Sequence, residues 1–190
     1  IKKLFTLTIL LAVVFCAVNA FAATSQTVNV SATVPTTNGL SVSVHKIIGT
    51  VWSEAAAINF GTLEWDSELS MFLPADGEYY ALDVKIDNNS GTDWTVSHAH
   101  QSLSSGTNNL DNNVNVTFVK VANSDEAESP LEKVSFASSN KSYAKSTLLN
   151  SWLRIYYGIS TGSEDATGVT PLGASTVAGT YTGSVTLTLS

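Results

Sequence analysis

The feature that most constrains this chain is a period of two. In VAGTYTGSVTLTLS, Val177 to Ser190, the residues Tyr181, Gly183, Val185, Leu187 and Leu189 fall on one face, and Thr182, Ser184, Thr186 and Thr188 on the other. Successive side chains of a strand point to opposite sides, so this segment sets one face in a core and one toward water, where threonine is at home. The same alternation recurs. Val28, Val30, Ala32 and Val34 alternate with polar residues until Pro35 stops the run, and Leu40, Val42 and Val44 repeat it. Leu82, Val84 and Ile86 follow, then Val114, Val116 and Phe118, then Leu153, Ile155, Tyr157 and Ile159. INFGTLEW, from Ile58 to Trp65, reads as a strand with a bend at Gly61. Leu148, Leu149, Trp152, Leu153 and Tyr156 also fit a helical stripe, but the β-formers Ile155, Tyr156, Tyr157 and Ile159 favour a strand. Residues 122–147 are the most polar and read as a long loop or short hairpin. Seven or so short strands without a convincing helix predict an all-β fold, an antiparallel β-sandwich of immunoglobulin-like shape.

The N-terminus predicts the compartment. Lys2 and Lys3 precede an apolar run from Leu4 to Val18, and Ala20-Phe21-Ala22 offers small residues where a signal peptidase reads. The expected division is a secretory signal at 1–22, an N-terminal strand at 23–35 and a sandwich domain at 36–190. The run is short for a bilayer span, so no integral membrane segment is expected after cleavage. Cys16, the single cysteine, lies in the signal, which excludes a disulfide framework and thiolate metal sites from the rest. The formal charge is −7, and no basic cluster occurs, which argues against nucleic acid as a partner.

Chemistry is sparse. His98 and His100 stand two apart and so share a strand face, but no cysteine or acid lies beside them to complete a metal site. Glu64, Asp66 and Glu68 alternate without forming a calcium loop, and no GxSxG occurs. An enzyme, a metal site and a cofactor are therefore not expected. Of the four tryptophans, Trp94 and Trp152 read as core, while Trp52 and Trp65, in a stretch of mixed character, are candidates for an exposed ligand surface.

Taken in order, VNVSATV, LSVSV, INFGTLEW, IDNNSGTDWTV, LRIYYGIS and AGTYTGSVTLTLS resemble the spore coat protein U family and its archaic chaperone–usher pilin relatives over most of residues 27–190. NFGTL at 59–63 and AGTYTGSVTLTL at 178–189 are the most specific parts. Family members usually carry cysteines where this chain reads TTNGLSV and IDNNSGTDW. DWTV and the GTY-plus-strand ending also resemble, more weakly, the WxL surface domains. The first resemblance implies an incomplete sandwich completed by donor-strand exchange: Val28, Val30, Ala32 and Val34 would enter a groove bordered by Tyr181, Val185, Leu187 and Leu189 of the next subunit, a form of β-strand addition. It further implies self-association into a filament or coat, a periplasmic chaperone, an outer-membrane usher, and passage through the periplasm to the cell surface. Two other readings stay open. Residues 27–34 are the first strand of a complete monomeric sandwich that binds carbohydrate or cell wall through Trp52 and Trp65, or, far behind, His98 and His100 serve a metal enzyme.

Overall fold

The computed structural model describes residues 32–33, 38–88 and 91–190. The chain divides after Pro35 into two units, of which the second runs from Thr36 to Ser190. The described residues of this second unit form twelve strands: β1 (Asn38–Ile48), β2 (Val51–Ala55), β3 (Leu63–Asp66), β4 (Met71–Pro74), β5 (Tyr79–Asn88), β6 (Thr95–Ser105), β7 (Asn108–Asn109), β8 (Val114–Ala122), β9 (Glu128–Ser135), β10 (Lys141–Ala144), β11 (Ser151–Ile159) and β12 (Thr182–Leu189). The helical element among the described residues is a single 3-10 turn, Phe136–Ser138. No described helix is long and apolar enough to cross a membrane.

Two antiparallel sheets carry the core, an arrangement consistent with a β-sandwich. One runs β2-β1-β5-β11-β8-β9, the other β10-β6-β12 with β7 against β6, and β3 and β4 form a separate hairpin. The register of the large sheet follows from the alternation. Leu82 lies opposite Val44 and Ile155, and Phe118 lies opposite Ile155. These side chains share the inner face and meet Val96 and Tyr143 from the small sheet in one buried cluster. Removing each such side chain from water contributes about 1.5–3 kcal/mol, which is why a one-residue slip of register is strongly disfavoured.

His98 crosses the core. Its Nδ1 lies 2.6 Å from the Ser139 carbonyl, to which it must donate, so Nε2 accepts from Tyr157 Oη at 2.7 Å. Burial, the largest influence, holds the His98 pKa below its ordinary value and raises that of Tyr157, so both stay neutral. The hydrogen bond ties β6 in one sheet to β11 in the other.

The outer face of the large sheet is also covered. Arg154 forms two parallel bonds with Asp83, at 2.6 and 2.9 Å, and a third with Glu128 at 2.6 Å. Its guanidinium stacks 4.5 Å from the ring centre of Trp52 and 4.7 Å from that of Trp152. Burial acts against the charge, but the bonds to Asp83 and Glu128 outweigh it and raise the Arg154 pKa. Trp152 is buried, as expected, but in a second cluster with Val119 and Val121 on this outer face, while Trp94 packs half-buried on the main core.

Two expectations need correcting in detail. In INFGTLEW the strand starts only at Leu63. Gly61 has φ +63°, and its N–H donates to Asn59 Oδ1 at 3.0 Å, so a local turn replaces the pairing of Ile58 to Gly61. The polar stretch 122–147 holds β9, the 3-10 turn and β10. β9 escapes the alternation rule because it is an edge strand with a bulge: Val119 faces Pro130 and Phe118 faces Glu132, which leaves Leu131 as the extra residue.

Candidate functional site

Where the two sheets meet along their margins there are two seams. At the first, β9 of the large sheet meets β10 of the small one. Tyr143 Oη donates to Glu132 at 2.6 Å, and Lys141 Nζ lies 2.6 Å from the same carboxylate. Burial works against the Glu132 charge, yet these bonds and the lysine prevail and hold its pKa below the ordinary carboxylate value. The seam is closed by paired polar groups.

The second seam lies between β1 and β12. β12 pairs antiparallel with β6 from Thr182 to Leu189, and the terminal pairing of Ser190 with Thr95 extends it. Its other edge is unpaired among the described residues. β1 is half open in the same way, because β2 covers only Val44 to Ile48 and leaves the edge from Asn38 to Ser43 without a described partner. The side chains show what this means. Val42 lies directly opposite Val84, and facing residues of an antiparallel pair share a face. Val84 is 0% exposed and Val42 is 43% exposed. A valine that points inward and yet meets water marks a core that lacks a wall.

Leu40 and Val44 on one lip, and Tyr181, Val185, Leu187 and Leu189 on the other, are only partly buried against the main cluster. The groove includes an apolar cavity of about 740 Å³ whose lining takes in Val44 and Val185 of the two lips together with Phe60, Leu82, Leu172 and Tyr181. Gly183 shapes the β12 lip. The ladder is irregular between Thr182 and Ser184, and a Cβ at residue 183 would sit 2.7 Å from the Gln101 carbonyl oxygen. Only glycine fits that approach.

The four residues expected on the β12 side thus line one lip together. Of the expected inserting residues, Val28, Val30 and Val34 lie outside the described residues, and Ala32 is exposed and belongs to no strand. The β1 lip was not singled out as a site from sequence, although Leu40, Val42 and Val44 show the same alternation.

Trp52 and Trp65 are 41% and 43% exposed. They occupy different elements: Trp52 packs on His45, Arg154 and Tyr156 on the outer face of the large sheet, and Trp65 packs on Phe72 across the β3–β4 hairpin. His98 and His100 do share a face of β6, but both rings are engaged, His98 with Ser139 and Tyr157 and His100 with Asn140 Oδ1 at 3.0 Å. Asp66 Oδ1 accepts from the N–H groups of Glu68 and Leu69 at 2.8 and 2.9 Å, the bonding of a turn. Among the described residues no three His, Cys, Asp or Glu side chains gather as metal ligands. No family model, curated protein or solved structure matches the chain.

Proposed function

We propose that this protein is a secreted structural subunit of a surface fibre or coat, an immunoglobulin-like sandwich that is completed by a strand from a neighbouring copy. The observation that supports the reading is the 43% exposure of Val42, an inward residue of β1, opposite the unpaired edge of β12. Both lips of the seam present main-chain N–H and C=O groups and half-buried apolar side chains, which are the two requirements for strand addition. Residues 24–34, with Val28, Val30, Ala32 and Val34 on one face, form a segment of matching pattern. A head-to-tail contact of this kind does not close on itself and so extends into a filament. An unpaired edge beside an exposed valine and half-buried leucines invites aggregation, which gives the proposed chaperone and usher their task before assembly. The spore coat U and archaic pilin resemblance is in keeping with this reading.

The test has two arms. The protein as isolated should form ordered multimers on size-exclusion chromatography as its concentration rises, and Val30→Asp should leave it monomeric. In parallel, a chain beginning at Thr36 should melt at a markedly higher temperature when a peptide of residues 23–35 is added, and ignore the Val30→Asp peptide. A chain that stays monomeric and a melt that ignores the native peptide would overturn the proposal.

A further inference from the structure

A second concavity shares Ile159 and the β3–β4 hairpin with the first but includes neither lip of the open seam, and it has a different character. It measures about 780 Å³ and is lined by Trp65, Leu73 and Pro74 of the β3–β4 hairpin together with Tyr79, Gly158 and Ile159. Its aromatic lining continues outside it. Tyr79 lies 6.1 Å from Tyr156, and Tyr156 lies 6.2 Å from Trp52, ring centre to ring centre. Aromatic surface therefore runs from the groove along the outer face of the large sheet. Trp52 is already fixed there by the Arg154 guanidinium, so little side-chain freedom remains to be lost on binding.

The charge around the groove is one-sided. Glu64, Asp66, Glu78 and Glu164 line it with a single lysine, Lys133. Glu78 is partly neutralised by Lys46 at 3.4 Å, and the Lys133 ammonium donates to the Glu164 main-chain carbonyl. Among the described residues the carboxylates of Glu64 and Glu164 have no ion-pair partner. Asp66 spends one oxygen on its turn.

We propose that this groove and the aromatic surface leading from it bind a linear glycan whose sugars carry free amino groups. A sugar ring offers an apolar C–H face and a polar rim, which matches an aromatic side chain flanked by hydrogen-bonding groups. Aromatic residues in sequence along a surface fit a chain of such rings, whereas a single small molecule would need only the groove. Unneutralised carboxylates lining the same groove as Trp65 favour a cationic sugar over an acidic one by charge complementarity. None of its lining residues belongs to the β1 or β12 lip, so binding there does not depend on strand insertion.

The experiment follows tryptophan fluorescence of the protein as isolated during titration with a glucosamine hexamer, cellohexaose and a galacturonic acid hexamer. The expected result is saturable quenching by the glucosamine hexamer, at least about tenfold tighter than by the other two and weakened by salt. Trp65→Ala should weaken it about tenfold or more. Glu64→Gln combined with Glu164→Gln should reduce it to the cellohexaose level with the melting temperature unchanged, and this pair decides the matter if Trp65→Ala folds poorly. Absence of quenching, equal response to cellohexaose, preference for galacturonate, or indifference to the carboxylate pair would each overturn the proposal.

Discussion

The two seams of this molecule are built from the same kind of strand and end in opposite states. At the β9–β10 margin, Tyr143 and Lys141 both bond to Glu132 across the sheets, and Tyr143 is 8% exposed. At the β1–β12 margin no such bond joins the lips among the described residues, and an inward valine meets water. A sandwich core becomes watertight only when its margins are closed as well as its faces. One margin here is closed by the chain's own polar side chains, and the other is open among the described residues.

The contrast can be broken by measurement, beginning with the largest effect. Leu153→Ala, in the fully enclosed part of the core, should cost about 2–5 kcal/mol, and Leu187→Ala, on the open lip, no more than about 1 kcal/mol, both by urea denaturation of the chain from Thr36. Equal losses would mean that the second seam is already covered in solution. Tyr143→Phe removes the bond to Glu132 and should cost about 1–2 kcal/mol, and it should leave peptide uptake at the other seam unchanged. If uptake changed, the margins would be coupled rather than separate.

A pH series sharpens the comparison further. The buried His98 has its pKa lowered from the ordinary 6.5, so the unfolded chain binds the proton first as pH falls. Stability contributed by neutral His98 is therefore full above 6.5, declines as the pH drops below 6.5 and levels off beneath the depressed folded value. The urea midpoint should fall through that window in the native protein and less in His98→Gln. The smallest effect is expected for Thr186→Lys, on the outward face of β12, which should change stability by no more than about 0.5 kcal/mol and leave strand uptake intact. A loss of uptake there would move the binding surface from the groove to the outer face.

The strands of the core were legible because their inward residues recur at every second position, as in Val114, Val116 and Phe118 and in Leu153, Ile155, Tyr157 and Ile159. β9 was not, because Pro130 and the bulge at Leu131 break the period, and its burial is set by β8 rather than by its own composition. The β12 lip could be read from Val185, Leu187 and Leu189, since alternation reports which residues seek a core. Alternation does not report whether the core is complete. Val42 and Val84 look alike in sequence, and only their neighbours make one enclosed and the other wet. Arg154 was equally hidden, because its partners Asp83, Glu128, Trp52 and Trp152 come from four strands.

Pro130 has one more consequence. It removes a main-chain donor from β9, an edge of the large sheet, and the neighbouring bulge twists that edge out of register for pairing. In a polymer chemist's terms, the number of places at which a monomer can join others sets the topology of the product: two reactive ends give threads, and a third gives branches and gels. By blunting β9, this residue would limit the functionality of the proposed subunit at that edge, and in the proposed fibre that would favour growth in one dimension.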